Sequence, residues 1–542
     1  MEKQLWKACK EGKVEEVRKL LQNSQINTNW QNNSDYYSRT PFYIACENGH
    51  IEIVKLLLND KRVILNKPQS EGATPFFIAC QKGHIEIVKL LLNDERVDIN
   101  KPSKHDETPF YIACYSGHIE IVKLFLNDNR VEINKASNNG SASFYIACQN
   151  GHIEIVKLLL NDQRVDINKA MNNGETPFYS ACYSGHIEIV KLLLNDNRVD
   201  INKADKYGYT PFNIACQNGK TEIAKLLLND KRVDINKASN NGWTPFYSAC
   251  SRGHIEIVKM LLNDERVDIN KANINGETPF YLACYNGNIE IMKLLSNDKR
   301  VDINKANGRA WTSFFVACRW GHIDIVKLLL NDERVDINKA ANDGATPFYI
   351  ACQEGHIETV KLLLNDNKVD KTRTENDYWA YFWIACYDGN IKIVKLLLND
   401  ERVDVNKAAN DGATPFYIAC ENGHIETVKL LLNDNRIDFN KGNKNDGLTP
   451  FHVACGEGYI EIVKVLLNDE RIDINKANDY SQTPFYIACQ DGHTEIVKLL
   501  LNEKRISIRK KTKEGKTGFD IAKTNNHSEI VKLIKEVDAG NY

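Results

Sequence analysis

One cysteine, returning in register from end to end, limits what this chain can fold into more than any other feature. Cys9, Cys46, Cys80, Cys114, Cys148, Cys182, Cys216, Cys250, Cys284, Cys318, Cys352, Cys386, Cys420, Cys455 and Cys489 are separated by 34 residues in twelve of fourteen gaps, the other two being 37 and 35. A fixed period of that length marks stacked supersecondary units, each of which touches only its neighbours. The 542 residues are therefore read as one continuous array, not as the roughly three or four globular domains that length alone suggests. Residues 1–25 read as an N-terminal capping helix pair, 26–508 as internal repeats and 509–542 as a C-terminal capping repeat. Separate catalytic domains have no room in such a layout, and function must lie in what varies between copies.

The copy from Gly72 to Asn100 shows why each unit folds as it does. Thr74 is placed to cap a helix by accepting an orphan amide, and Pro75 is pre-set for the first helical position; eleven copies keep this Thr-Pro pair. Phe76, Ala79 and Cys80 fall at i, i+3 and i+4, which predicts one apolar stripe, and Gly83 stands where a positive φ ends the helix. A second helix is predicted over 85–92, burying Ile85, Val88, Leu91 and Leu92, exposing Glu86 and Lys89, and stopping at Asn93 in a left-handed cap. The following stretch, as in Asn138-Asn139-Gly140, carries hairpin-turn signals. Helices this short do not persist alone, so stacking is compulsory.

The pattern Gly-x-Thr-Pro-Phe-Tyr-x-Ala-Cys-x-x-Gly-His-Ile-Glu-Ile-Val-Lys-Leu-Leu-Leu, followed by Val-Asp-Ile-Asn, resembles the ankyrin repeat in sixteen copies over essentially the whole chain. The resemblance implies an all-α repeat fold, an ankyrin-type α-solenoid of helix-turn-helix-hairpin units in a curved superhelix. It also implies a protein–protein interaction module, an adaptor or scaffold that grips its partner through hairpin tips and the concave surface of the first helices. Departures are systematic: Phe after Pro, mostly Tyr at the next position with His only at His452, Cys for an Ala, and Asn-Asp where Gly ends the second helix.

Charge and chemistry narrow the function further. Seventy basic against 72 acidic residues leave a formal charge of −2, which favours neither a nucleic-acid backbone nor an anionic membrane. The opening Met1-Glu2-Lys3-Gln4-Leu5-Trp6-Lys7 has no apolar run before a small-residue cleavage site, so no secretory signal is expected. Equivalent cysteines on stacked helices lie roughly 8–10 Å apart, beyond disulfide reach, and one Cys per layer does not assemble a zinc site. They read as small buried thiols without metal or other cofactor, in a reducing compartment, the cytoplasm or the nucleus. The recurring His after the inter-helix Gly reads as scaffold bonding to neighbouring backbone. The arginine ladder (Arg62, Arg96, Arg130 and on) reads as locally paired with flanking aspartates. With no partnered nucleophile, catalysis is not expected.

Variation concentrates at the tips and in the pair after the cysteine. Five of the seven tryptophans fall between residues 243 and 383. Trp243, Trp311 and Trp379 share the tip position two copies apart, Trp320 follows Cys318, and Trp383 replaces the recurrent Tyr. With Arg252, Arg309, Arg319, Tyr378 and Tyr387, these are the candidate contacts for a protein partner, because Trp, Tyr and Arg dominate binding hot spots. The rival function is a nucleic-acid or nucleotide binder that stacks bases on the aromatic row. The copy around Cys386 opens on Tyr378-Trp379-Ala380-Tyr381-Phe382-Trp383, without Gly, Thr or Pro, and is read as either a weak joint or the heart of the contact site. A monomer is expected.

Overall fold

The computed structural model describes residues 1–32, 37–370 and 381–538, and these group into two compact units, Met1–Ile274 and Asn275–Tyr542. Each unit holds sixteen helices among its described residues, taken as consecutive antiparallel pairs, and no strand occurs among them. The fold is thus the all-α repeat that the cysteine period predicts. The predicted hairpins are tight turns, not paired strands: Gln69 N–H donates to Ala73 O at 3.0 Å and Gly72 N–H to Gln69 O at 2.9 Å, with nothing further along the arms.

Helix one of a typical copy, Pro75–Lys82, starts where the sequence says it should. The Thr74 hydroxyl accepts from Phe77 N at 3.1 Å, and Gly83 closes the helix at φ 78°. Its burial is wider than the predicted stripe, because all of Pro75, Phe76, Phe77, Ile78, Ala79 and Cys80 are buried. Within a unit each first helix other than the terminal ones is flanked by the first helices of both neighbours and backed by its own second helix, so only the last residues and the tip side stay wet. Helix two, Ile85–Leu92, packs Ile87, Val88, Leu91 and Leu92 inward, whereas Ile85 is only half-buried. At the first helical position Ile85 sits over the turn, and Ile87 takes the inward place.

Asn93 corrects a second expectation. Its φ of −80° and ψ of −8° are right-handed, so no left-handed cap forms. The carbonyls at the end of the helix are satisfied from the next layer instead. Arg96 Nη2 donates to Leu58 O at 3.0 Å in the preceding copy while the same guanidinium holds Asp94 at 2.6 Å. Arg130 repeats this with Leu92 O at 2.8 Å, and Arg436 with Leu398 O at 2.6 Å in the second unit. The arginine ladder is therefore locally paired, as expected, and is also a tie between layers, placing a cation on a helix C-terminus. Asp94 feels Arg96 first through this hydrogen bond, which holds its carboxyl below the usual range.

Two further ladders tie adjacent copies. Asn100 Nδ2 donates to Arg130 O at 2.7 Å while its Oδ1 accepts from Glu132 N at 3.0 Å. His118 Nε2 donates to Gln81 O at 2.9 Å, and a Cβ on Gly83 would meet that imidazole at 2.6 Å. Gly83 is thus demanded twice, by its backbone angle and by the histidine of the next layer. The tips join through one backbone bond per layer, as from Lys104 N to Glu71 O at 2.9 Å.

Candidate partner-binding surface

All fifteen cysteines are buried in helix one, and burial pushes the thiols upward, as at Cys80 and Cys318. They stay protonated and act as small apolar groups. Among the described residues no group of three His, Cys, Asp or Glu side chains is placed to hold a metal ion, and no helix is long and apolar enough to cross a membrane. Attention falls on the tips and on the pair after each cysteine, which is where helix one leaves the interior.

In the first unit Trp243 folds back onto its own helix one. Its ring lies 5.3 Å from that of Tyr247, and its carbonyl accepts from Ser239 N and from Asn213 Nδ2. Arg252 is exposed at the end of the same helix, Pro245–Arg252.

The second unit carries a richer cluster. Trp311 stacks on Phe315 with centroids 5.5 Å apart, again against its own helix one, Ser313–Arg319. Here, however, two guanidiniums lie over the indole, Arg309 at 5.2 Å and Arg319 at 4.7 Å from the ring centroid. Each such contact contributes about 0.5–1 kcal/mol at an exposed site. Arg309 is exposed at the tip, and no carboxylate among the described residues pairs with it; Arg319 pairs with Glu354 at 3.1 Å. Beside them Trp320, 49% exposed, meets Tyr285, 39% exposed, edge to face at 5.5 Å, and Tyr285 stacks on Tyr281. The Tyr281 hydroxyl accepts from Asn307 Nδ2 at 3.2 Å. Burial raises the Tyr281 phenol, Glu277 and Tyr285 add to the rise, and Arg309 and Arg319 oppose it, so both guanidiniums reach the same corner.

Ala310, inside this tip, has φ 60° at a position where Gly276 and Gly344 stand in adjacent copies of the unit. An Ala held left-handed costs about 1 kcal/mol.

Trp383 overturns its expectation. It is 3% exposed, its Nε1–H donates to Ala413 O at 3.0 Å, and its ring stacks on Tyr387 at 5.2 Å. It is a strut between layers, as the tyrosines at its register position are, because helix one is buried all round there. Tyr387, one turn later, is 43% exposed. Tyr378 and Trp379 lie outside the described residues, so the two-layer row of tip tryptophans reduces to Trp243 in one unit and Trp311 in the other.

What the sequence reading passed over is the charge of the post-cysteine pair in the second unit. After Arg319 the strip reads Glu354, Asp388, Glu421, Glu457 and Asp491, one carboxylate per layer. Partial desolvation and then the Glu354 charge raise the Asp388 carboxyl, against the pull of His424. Burial, Asp411 and Glu457 do the same for Glu421. Aligning the copies at their cysteines was the signal that exposes this strip; net charge hid it. Such a strip repels phosphate, and the reading as a nucleic-acid binder loses its support.

Within each unit, a stack of short helix pairs that buries its first helices between neighbours and leaves tips and first-helix ends outward defines a repeat protein of the α-solenoid class. The model for ankyrin repeats in runs of three copies matches residues 5–103, 53–139, 95–171, 144–239, 231–307, 299–375, 382–478 and 470–541, so the chain belongs to the ankyrin-repeat family. No curated protein matches it significantly. Ankyrin repeats are in general protein–protein interaction modules, and their members are typically non-catalytic.

Proposed function

We propose that this protein is a non-catalytic adaptor or scaffold that takes a protein partner on the tips and helix-one ends of its second unit. The observation that carries the reading is Trp311 beneath Arg309 and Arg319, next to the exposed pair Trp320 and Tyr285. Large aromatics and arginines in one place are what hot spots are made of, and here self-packing already holds them rigid, which lowers the entropy lost on binding. Tyr387 extends the same surface, while Trp243 and Arg252 are a separate, smaller contact on the first unit. The chain is read as a monomer working in the cytoplasm, the nucleus being the second choice, where its thiols stay reduced.

Affinity capture with the full chain tests this, run beside Trp311→Ala and Arg309→Ala. A protein retained by the wild type and lost by both variants, all three melting alike, is the expected result. Retention of every captured protein by both variants would retire the reading.

A further inference from the structure

The reading of the second unit as a partner surface leaves open what it selects, and the charge order along its helix-one strip supplies a criterion. The strip is not uniformly charged. At one end stand Arg309 and Arg319 over Trp311, flanked by Tyr285 and Trp320. One layer on, Glu354 reaches back to Arg319 at 3.1 Å, and beyond it Asp388 interacts with Glu354. Glu421 follows, in the field of Asp411 and Glu457. The interior between Glu354 and Asp388 is continuous, since Phe348 meets Tyr381 edge to face at 4.9 Å. Cation and anion thus follow each other along neighbouring layers, with the two tryptophans at the cationic end and the exposed Tyr387 beside Asp388.

We propose that this face binds an extended segment of a partner protein in one charge order: an acidic residue beside an aromatic one on Arg309, Arg319 and Trp311, then basic residues on Glu354 and Asp388. The inference rests on the protein-binding reading above and adds the chemistry of the partner. Spacing follows from geometry. Layers of packed helices repeat every roughly 8–10 Å, and an extended chain advances roughly 3.3 Å per residue, so one layer corresponds to about three residues. The first basic residue belongs about three positions from the acidic one and the second about six. Arg309 provides a guanidinium without a carboxylate partner among the described residues, and a bidentate carboxylate suits it. The aromatic side chain of the segment has Trp320 and Tyr285 to pack on. A segment with the opposite order would set lysines on the arginines and carboxylates on Glu354 and Asp388, and like charges in contact are costly at an interface.

Fluorescence anisotropy with the full chain and synthetic labelled peptides tests the order. One peptide carries Asp-Phe followed by Lys at three and six residues; a second, of the same composition, exchanges the Asp with the distal Lys; a third moves the lysines to one and two residues from the Asp. The first is expected to bind at least ten-fold more tightly than either of the others, with a preference that weakens as salt is raised. The variant Arg309→Glu/Arg319→Glu is expected to reverse the preference between the first two peptides, its melting curve serving as the check that it folds. Equal affinity for both charge orders overturns the inference, as does tighter binding of a single-stranded oligonucleotide than of the first peptide. If a captured protein depends on Arg309 and Trp311 while the peptides show no preference, the charge order is wrong and the protein-binding reading stands. If no captured protein depends on those residues, both fall.

Discussion

The two units are built from the same helix pair, the same Thr-Pro start and the same three inter-layer ladders, yet their outward faces differ. In the two positions after the cysteine the first unit carries charge of both signs in four copies, Lys10-Glu11, Glu47, Lys82 and Arg252, and is neutral in the other four, with Tyr115 and Tyr183 exposed in alternate layers. At the same register the second unit presents Tyr285, Arg319 with Trp320, and then five layers that each bear a carboxylate. Inside, the contrast is of another kind. Three residues before the cysteine the first unit has Trp6, Phe77, Asn213 or Tyr, and the second has Phe315, Trp383, His452 or Tyr. Both tryptophans are buried and donate Nε1–H to a carbonyl of the next copy, Trp6 to Arg39 O and Trp383 to Ala413 O at 3.0 Å each. It is therefore the buried His452 that is peculiar to the second unit. One backbone solution thus accepts different surface chemistry and different buried polar groups without changing its period. Variation is greatest outside the ladders, although the histidine register itself carries Lys220, Asn288, Asn390 and Tyr459 in four internal copies.

Replacing Trp383 by Ala is the severest test of where the second unit keeps its aromatics. Loss of a large buried ring and of its bond to Ala413 predicts destabilisation of about 3–5 kcal/mol, measured by chemical denaturation. A change under about 0.5 kcal/mol would mean that the indole is a surface group after all.

Acid should separate the units next. His452 is fully buried, its Nδ1 accepts from Thr449 N at 3.0 Å, and its Nε2 donates to Gln482 O at 3.0 Å. Burial, outweighing the bond to Gln482 and the nearby Asp446 and Asp473, pushes its value down from 6.5 to about 4. The unfolded chain therefore takes the proton first. Stability from this group is complete above pH about 6.5 and falls toward pH 4, by roughly 3 kcal/mol over the interval. The Asp–Arg pairs, with depressed carboxyls, hold until lower pH in both units. Hydrogen exchange at pH 7 and pH 4.5 should show protection lost around residues 449–490 before any segment of the first unit, and His452→Tyr should remove the difference. Uniform loss in both units would break the comparison.

A smaller effect is expected for the surfaces. Trp311→Ala should weaken partner binding by about 2 kcal/mol, roughly thirty-fold, whereas Tyr183→Ala on the first unit should leave it unchanged; titration calorimetry with the captured partner measures both. The smallest effects concern the backbone. Ala310→Gly relieves the left-handed alanine of the second unit and should add about 1 kcal/mol. Ser143→Pro, which restores the usual residue and removes a buried hydroxyl with no bonding partner, should add roughly 0.4–1 kcal/mol to the first unit. Thermal melting ranks the two.

Much of the fold was legible because it depends on local chemistry repeated in register. Thr74-Pro75 starts a helix and Gly83 ends it whatever lies next door, and Cys80 lies inside because a small apolar thiol at that spacing has no other use. Where the reading failed, the missing information lay in the adjacent layer. Asn93 needs no left-handed turn because Arg130, from the following copy, reaches the carbonyl of Leu92. Trp383 resembled an anchor because its carbonyl partner, Ala413, is thirty residues away. The candidate surface was legible only as a list of aromatics and arginines; that Arg309 and Arg319 share one indole, and that Trp320 meets Tyr285, depends on how the tip folds back on helix one.

By itself the sequence determined the period, the helix boundaries, the buried thiols and the membership of the ankyrin-repeat family, since each follows from spacing and from bonds made within four residues. The tertiary structure alone decided which polar side chains are consumed in holding layer to layer and which are left to meet a partner. The reason is that those bonds join residues some 30 to 38 positions apart, as from Asn100 to Arg130 and from Arg96 to Leu58, a separation that local patterning does not encode.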